Sequence, residues 1–444
     1  MQRIILAITA LVMTLNISGL NVDKCHPGQL STLIDDCNIT SLEVSGRMDA
    51  RDFRFIADSL RHLTTLDLSQ AVVDAYRGET LFANVSDYAA HELPCLSLAS
   101  MRQLQQLALP DSLTRLGDGS LSDCRQLVEL TLPPRVERIG DYALSGCSQL
   151  KKLFVPQSLV SMGDGALSNC AILEAVVMLP STDGGTAQAA SLRIGYRAFA
   201  NCPSLKQVAL GNHWSEIGAE ALAETGLEQL DMSNQTMLDS LASWSLANSQ
   251  LTRLVLPAAV RSIGDGAMMN DKGINQLTLP ATVKHIGSHA MAYMTGLKQI
   301  ESKPTEVPEL GDSVWYGVEQ SEVLLKVSPQ SLTDYRNAPQ WCNFMTSDLL
   351  RGDVNADGKV DIADVNILIN IMLGKDDADN YDGRAYLTDD MVVDIADVNA
   401  AINLMLGRQR ALRLAAEKAA REAAAHTNNS ATGHPAVLQQ AIAP

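Results

Sequence analysis

The chain has 444 residues, a formal net charge of −17 and an aromatic content of only 4%. This length exceeds what one compact hydrophobic core usually organises, so we expect an elongated or multi-domain protein with an aliphatic core. The acidic balance argues against binding to nucleic acid or to anionic membrane surfaces, because both would repel the protein.

The N-terminus has a short charged start followed by an apolar stretch over residues 4–20. Polar residues interrupt this stretch, whereas a membrane-spanning helix needs about 20 apolar residues. We therefore interpret residues 1–21 as a signal peptide rather than a membrane anchor, and we expect a secreted or surface-exposed protein.

Residues 22–103 are predicted to form an N-terminal cap with the first, irregular repeats. Two short apolar segments with period-2 alternation, at residues 39–44 and 63–68, are predicted strands. The segment between them, residues 49–60, carries its apolar side chains on one helical face and is predicted to be a helix. Residues 75–94 break the period and are interpreted as an excursion.

Residues 104–322 repeat with a period of about 23 residues. The segment L-x-x-L-x-L-P and its close variants begin at Leu104, Leu127 and Leu150. Alternate leucines point inward from a short strand, and proline ends the strand because it cannot donate a ladder hydrogen bond. Such a period predicts a solenoid in which neighbouring coils bury each other's apolar faces.

Each unit continues with an apolar residue and a glycine, as at Ile139-Gly140, and then with small residues such as Ala143. We predict that the glycine forms a tight corner because it adopts positive φ at little cost. The small residues are expected to form a short helical turn against the neighbouring coil. Each coil then combines a parallel strand with a helical turn, which predicts an α/β fold.

Eight cysteines in an exported chain raise the possibility of disulfides. Four of them close successive units at one repeat position, and this predicts a buried ladder of free thiols: Cys124, Cys147, Cys170 and Cys202. Whether Cys25 and Cys37 form a local bridge is left open by the sequence.

The repeat resembles the BspA-like leucine-rich repeat family of bacterial surface proteins. Residues 127–147 satisfy nearly every position of the family pattern, from the first leucine to the closing cysteine. The resemblance covers residues 39–344 and implies a leucine-rich-repeat solenoid at the bacterial cell surface. Residues 323–345 resemble the closing cap of this family, so we interpret Trp341 as packing over the last coil rather than as a sugar platform.

Residues 349–407 form an acidic region of different character. Within residues 353–364, oxygen-bearing side chains occupy loop positions 1, 3, 5, 9 and 12, with glycine at position 6. This is the ligand spacing of an EF-hand loop, in which position 7 contributes its backbone carbonyl. The predicted calcium ligands are Asp353, Asn355, Asp357, Lys359, Asp361 and Asp364.

The acidic segment recurs 33 residues later, where residues 360–366 are repeated as residues 393–399. Two calcium-loop–helix units in residues 349–407 resemble a type I dockerin. The resemblance implies a small all-α domain of paired loop–helix units with calcium as its cofactor. It also implies docking to a cohesin-type partner, and thereby into multiprotein assemblies such as those that degrade polysaccharides.

The second loop departs from the dockerin pattern, because Tyr386 and Met391 replace its first acidic ligand and its glycine corner. We therefore predict one strong calcium site and one weak or lost site. The candidate ligands of the weak site are Thr388, Asp390, Val392, Asp394 and Asp397.

In dockerins the partner contact falls on loop positions 10 and 11 and along the helices that follow. The resemblance assigns this contact to Ile362, Ala363, Ile395 and Ala396. Because the two pairs are identical, it implies binding in either of two orientations.

The remaining segment, residues 408–444, is predicted to be an alanine-rich helix followed by a disordered tail. The sequence carries no G-x-S-x-G, H-E-x-x-H or phosphate-loop motif, and its one histidine pair, His285 and His289, occupies variable outward positions. We expect a non-catalytic binding protein whose solenoid recognises a protein or glycan. The alternatives are an accessory or enzymatic component of polysaccharide catabolism and a purely structural spacer.

Overall fold

The computed structural model describes residues 19–180, 191–328, 330–346, 352–355, 359–381, 385–388 and 392–407. The chain divides into two compact units, Met1–Met345 and Thr346–Pro444. The first unit contains the repeats, and the second contains the acidic loops. No helix in these described ranges is long and apolar enough to cross a membrane.

The L-x-x-L-x-L segments form parallel strands, as predicted; these pair in four successive sheets, whose assembly we call the leucine sheet. Parallel pairing keeps equivalent residues in register, so that Leu130 lies beside Leu153 and Leu153 beside Val176. The strands of the leucine sheet are β1 (Gly19–Cys25), β2 (Ser41–Met48), β3 (Thr65–Asp67), β8 (Gln106–Ala108), β10 (Glu129–Thr131), β12 (Lys152–Val155), β14 (Ala175–Met178), β16 (Gln207–Ala209), β18 (Gln229–Asp231), β20 (Arg253–Val255), β22 (Gln276–Leu279), β24 (Gln299–Ser302) and β26 (Leu324–Lys326).

A second assembly of parallel strands, which pair in two successive sheets, runs beside the leucine sheet and is not expected from the sequence; we call it the second sheet. It is built from the apolar residue before each repeat glycine, so that Ile139 pairs with Leu116 on one side and Met162 on the other. Its strands are too short for a period-2 pattern to be visible in the sequence. They are β7 (Glu92–Leu93), β9 (Arg115–Leu116), β11 (Arg138–Ile139), β13 (Ser161–Met162), β15 (Leu192–Ile194), β17 (Trp214–Ile217), β19 (Ser240–Leu241), β21 (Ser262–Ile263), β23 (His285–Ile286) and β25 (Glu309–Leu310).

The repeat glycines do not adopt the positive φ that the sequence analysis predicts, and this prediction is wrong. A Cβ atom on Gly140 would lie 2.8 Å from the backbone nitrogen of Asp118, and one on Gly163 would lie 2.6 Å from that of Asp141. These neighbours are backbone atoms of the preceding coil, so they have little freedom to move. Glycine is therefore required here for the close approach of successive coils.

The segments after these glycines, such as residues 141–146, are consecutive turns rather than the predicted short helices, and we call their common surface the turn face. The backbone N–H groups of Tyr142 and Leu144 donate to carbonyls of the next coil at 2.7 and 2.8 Å. Those of Ala143 and Ser145 donate three residues back instead. Between β3 and β26 no described residue is in an α-helix, so the solenoid is a parallel β-solenoid rather than an α/β fold.

The N-terminal cap contains the predicted helix, here α2 (Ala50–Ser59), preceded by α1 (Leu30–Leu33). Asp49 caps α2 by accepting from the N–H of Arg51, and Asp52 accepts from the N–H of Asp49 in return. Strand β1 includes residues 19–21, so the predicted end of the signal peptide falls inside a paired strand. Residues 1–18 lie outside the described residues.

The excursion at residues 75–94 is mostly an antiparallel hairpin of β5 (Tyr76–Phe82) and β6 (Val85–Tyr88). It follows β4 (Ala71–Val73), which pairs with β2. The regular frame resumes earlier than predicted, because Leu93 already pairs with Leu116 in the second sheet.

The closing cap covers the last coil with aromatic side chains, as predicted. It contains α3 (Leu332–Asn337), the 3₁₀ turns Gln320–Glu322 and Trp341–Asn343, and then β27 (Met345–Thr346). Tyr335, Trp341 and Phe344 are buried, and the Trp341 indole donates to the carbonyl of Pro308 at 3.1 Å. The interpretation of Trp341 as a packing residue is therefore confirmed.

The predicted cysteine ladder is confirmed, since Cys124, Cys147, Cys170 and Cys202 are buried free thiols. Each Sγ donates to a backbone carbonyl of the preceding coil at 3.2 to 3.3 Å, for example from Cys147 to Leu121. Burial raises the pKa of Cys124 to about 12. The question left open at Cys25 and Cys37 is answered as well, because both are free thiols in the structure.

These thiols should be unreactive in the native protein, because only the thiolate attacks and burial suppresses it. Maleimide labelling followed by peptide mass spectrometry should modify Cys342, which is exposed, and miss the four ladder cysteines until a denaturant is added. Rapid native labelling of the ladder would show that this repeat position faces outward.

Asp271 occupies the ladder position in a later coil, three residues before the leading Ile274. It is buried, and its Oδ1 accepts from the N–H and the hydroxyl of Ser249 at 2.9 and 2.7 Å. Burial raises the pKa of this carboxyl to about 8, although the bonds from Ser249 favour its charged form. In the folded protein it therefore stays protonated across a pH range in which an unfolded aspartate is charged.

The stability that Asp271 contributes should be fully present below about pH 4 and lost as the pH rises through about 8. Asp271→Asn keeps the acceptor for Ser249 and removes the titration. Urea unfolding should give similar free energies for both proteins at pH 4. At pH 9 the variant should be more stable by a few kcal/mol, because one pKa unit corresponds to ~1.4 kcal/mol. A constant difference between the proteins from pH 4 to 9 would contradict this assignment.

The second unit is built from two equivalent halves whose core residues lie 33 positions apart. It contains α4 (Ile362–Met372), the 3₁₀ turn Ala378–Tyr381 and helical residues 395–407. The core pairs the equivalent positions Val354 and Leu387, Val365 and Val398, and Leu368 and Ala401. The internal duplication in the sequence thus corresponds to a shared apolar core.

Candidate functional site

The first acidic loop is closed by hydrogen bonds from its own backbone to its last aspartate. Asp361 caps α4 by accepting from the N–H of Ala363 at 2.8 Å. Asp364 is buried and accepts from the N–H of Asp361 at 2.9 Å and from that of Asn355 at 3.1 Å. The carboxylate of Asp364 therefore joins the start of the loop to the start of the helix.

The second loop keeps the same arrangement despite its altered sequence. Asp397 is buried and accepts from the N–H of Thr388 at 2.8 Å and from that of Asp394 at 2.9 Å. Asp394 accepts from the N–H of Ala396 at 2.6 Å, as Asp361 does from Ala363. The replacement at Tyr386 thus removes a candidate ligand, while the hydrogen bonds that Asp394 and Asp397 accept from the described backbone remain.

The donor set of the first loop fits calcium in its chemistry. Calcium takes oxygen ligands, and buried carboxylates such as Asp353 and Asp364 are the groups that a bound cation stabilises. Carboxylate oxygens that accept one backbone N–H retain a second lone pair for a metal. At Lys359 and Val392 the candidate ligand is the backbone carbonyl. In the described ranges no group of three or more His, Cys, Asp or Glu side chains is placed to hold a metal.

Two of the predicted ligands, Asp357 and Asp390, lie outside the described residues, as do residues 408–444. Among the described candidates, Asn355, Asp361, Thr388 and Asp394 are half-buried.

The four predicted partner-contact residues lie at the beginnings of the two helices and face solvent. Ile362 is 62% exposed and Ile395 is 58% exposed, and Ala363 and Ala396 are exposed beside them. An exposed aliphatic side chain at each of two equivalent positions can serve an apolar contact with a partner.

The histidine pair of the solenoid faces outward as predicted. His285 Nδ1 lies 2.9 Å from Glu309 Oε2, and both residues are exposed. His289 lies on the turn face, with its ring centroid 6.5 Å from that of Tyr316. The two histidines thus interact with different neighbours.

An open groove of about 450 Å³ lies beside the leucine sheet, with Met178, Leu210 and Trp214 in its lining. Asp231 is the one acidic residue that lines it within the described part of the chain. Glycoside hydrolysis generally needs a pair of carboxylates, and the described lining of this groove contains one. Residues 181–190 follow Pro180 at its margin and lie outside the described residues.

The comparisons with known proteins identify the repeats. Residues 95–183 and 189–328 match, in six copies, the family described as BspA type leucine rich repeat region, and together they make up just over half of the chain. No curated protein matches the chain.

Several solved structures are similar to this chain. One is a leucine-rich repeat protein from Bacteroides ovatus, at 15% identity, covering 61% of this chain and 91% of that chain, with a TM-score of 0.22. Another is a leucine-rich repeat protein from T. pallidum, at 22% identity over 47% of this chain and 80% of that chain, with a TM-score of 0.29. A leucine rich cell surface protein from Faecalibacterium prausnitzii is 17% identical over 60% and 74% of the two chains, with a TM-score of 0.26.

Proposed function

Because the chain belongs to the BspA-type leucine-rich repeat family, we propose that it is a secreted or cell-surface binding protein without catalytic activity. Its solenoid recognises a protein or glycan ligand along an extended surface. Its second unit acts as a type I dockerin that attaches the protein, in a calcium-dependent manner, to a cohesin-type partner or a larger assembly.

The observation that supports the docking role is the pair of exposed isoleucines, Ile362 and Ile395, at equivalent positions of a duplicated unit. Each follows an aspartate-rich loop whose last aspartate is buried and hydrogen-bonded to the backbone of its own loop. Bound calcium would neutralise the negative charge of these loops. The chain's own carboxylates hold the first turns of the helices in place. Ordered loops then present the two isoleucines as a preformed contact surface.

The two surfaces should be interchangeable, because loop positions 10 and 11 are Ile-Ala in both halves. We expect the full chain, immobilised as bait, to capture a partner from the native secretome in calcium and to release it in EGTA. Ile362→Asp and Ile395→Asp should each retain capture, whereas the double variant should lose it. The matched control is Leu33→Asp, an exposed aliphatic position in the first unit. Capture that ignores EGTA and survives the double variant would exclude the dockerin role.

A further inference from the structure

The turn face carries a regularly repeated position with left-handed backbone. From Leu96 to Ser313, the second residue after each repeat glycine, or after the residue that replaces it, has φ between 52° and 61°. Side chains at such positions project from the surface of the turn, because the backbone around them pairs with both neighbouring coils. Residues with large side chains occupy this strained position at Tyr142 and Trp244, although glycine would be favoured there.

Glycine in the next coil makes room for each of these rings. A Cβ atom on Gly165 would lie 2.6 Å from Cδ1 of Tyr142, and one on Gly266 would lie 2.7 to 2.9 Å from three atoms of the Trp244 indole. Because those three atoms are nearly equidistant, the indole presents one face to Gly266. The opposite face is then directed away from the coil, in agreement with the partial exposure of Trp244.

The exposed tyrosine and tryptophan side chains of the described residues all lie on this turn face. They are Tyr142, Tyr196, Trp244, Tyr293 and Tyr316, and we call them the aromatic ridge. Aromatic residues make up only 4% of the chain, so their concentration on one surface is not explained by composition. The remaining tryptophans, Trp214, Trp315 and Trp341, are buried.

The ridge has a regular spacing along the solenoid axis. Tyr142, Tyr196, Trp244 and Tyr293 lie in every second coil, although not at one repeat position, since Tyr196 directly follows its repeat glycine and Tyr293 lies six residues after its own. Neighbouring parallel strands are ~4.8 Å apart, so the coils that carry these rings are ~10 Å apart along the axis. This distance is close to the length of a disaccharide unit in an extended polysaccharide. Tyr316 follows in the next coil, with its ring centroid 5.3 Å from that of Tyr293.

The polar groups beside the ridge can accept hydrogen bonds from hydroxyls. Asp141 and Asp164 each have one carboxylate oxygen bonded to the backbone N–H of the next coil, at 2.8 Å, and each has a second oxygen as a further acceptor. Side-chain amides form a second row at a later repeat position of the turn face, as in the 2.9 Å bond between Asn270 and Asn248. The carboxylates would repel an anionic polymer, whereas a neutral chain with many hydroxyls fits them.

We propose that the aromatic ridge binds a neutral polysaccharide in an extended conformation, with sugar rings stacked on Tyr142, Tyr196, Trp244 and Tyr293. This assignment rests on the binding role proposed for the solenoid and names its ligand class. A polymer whose repeat matches two coils contacts several platforms at once, so weak individual contacts sum to useful affinity. A basic peptide is the other partner that acidic and aromatic groups could attract. The spacing of its side chains, however, is not expected to match the two-coil period of the ridge.

The test uses the full chain and native affinity electrophoresis in gels that contain hydroxyethylcellulose, galactomannan or anionic polygalacturonate. We expect retardation by a neutral polysaccharide and none by polygalacturonate.

Tryptophan fluorescence should change on binding, because Trp244 is the exposed tryptophan among those described. Trp244→Ala should weaken binding about tenfold and Trp244→Phe much less, since loss of a central contact costs about 1.4 kcal/mol or more. Combining Trp244→Ala with Tyr142→Ala should abolish binding.

The matched control is Met237→Ala, which removes an exposed apolar side chain outside the ridge and should leave binding unchanged. Circular dichroism should show that every variant keeps the fold. Polysaccharide binding should persist in EGTA, whereas capture of the calcium-dependent partner should not. Failure of the ridge proposal is therefore distinguishable from failure of the docking proposal. The proposal is overturned if neither neutral polysaccharide binds, if binding survives the double variant, or if oligolysine binds at the ridge instead.

Discussion

Leu153→Asp should unfold the solenoid or lower its free energy of unfolding by about 4 kcal/mol or more, because it buries an unpaired charge. Leu153 lies in β12, between Leu130 of β10 and Val176 of β14, and its side chain is fully buried. Each coil contacts only its neighbours, so one charged residue interrupts the core that all coils share. Urea unfolding followed by circular dichroism measures the effect.

The matched control for this substitution is Gln207→Asp, which places the same side chain at an exposed position of β16. We expect it to change stability by no more than about 0.5 kcal/mol. If Leu153→Asp unfolded at the same urea concentration as the unsubstituted protein, the repeat register described above would be wrong.

Asp353→Ala should remove the single strong calcium-binding equivalent of the chain. Asp353 begins the first loop and is buried, whereas Tyr386 stands at the same position of the second loop. Loss of the first carboxylate removes a negatively charged ligand that a dehydrated calcium ion requires. Isothermal titration calorimetry on the full chain should therefore show one tight equivalent in the unsubstituted protein and none in the variant.

The comparison variant is Asp394→Ala, which changes the second-loop counterpart of Asp361. It removes the hydrogen bond to the N–H of Ala396 but belongs to the weak site, so the tight equivalent should remain. Two tight sites of equal affinity would refute the assignment of unequal loops. Tight binding that survives Asp353→Ala would place the calcium elsewhere.

Much of the solenoid could be predicted from the sequence, because its period forces equivalent residues into equivalent environments. The leucines around Leu130 and the cysteines around Cys147 are buried as their repeat positions indicate. The second sheet was missed since β11 has only two residues, too few to show alternation. The role of Gly140 was also misjudged, because the approach of the neighbouring coil is not visible within one repeat.

The aromatic ridge escaped prediction for a related reason. The repeat position of Tyr142 and Trp244 is not occupied by one residue type, since other coils have glycine there, as at Gly165 and Gly266. An alignment of repeats therefore makes them look like variable surface residues. Only the stacking of coils reveals that each ring rests on the glycine of the coil that follows.

The acidic loops were predictable in their duplication but not in their hydrogen bonding. The 33-residue repeat correctly identified equivalent core positions such as Val365 and Val398. The ligand pattern, however, does not reveal that Asp364 and Asp397 also accept backbone N–H groups and so stabilise the loops themselves. Calcium binding by these loops remains a prediction.

Hydrogen–deuterium exchange of the full chain, with and without calcium, tests the proposed calcium-ordered docking unit most directly. Metal binding to a loop contributes its free energy to the folding of that loop, so amide exchange there should slow when calcium is added. We predict strong calcium-dependent protection in α4, which follows the strong site, and also in helical residues 395–407, because the two halves share one core. Exchange in the leucine sheet should not change. Equal exchange rates in the second unit with calcium and with EGTA would contradict the calcium-dependent ordering of this unit.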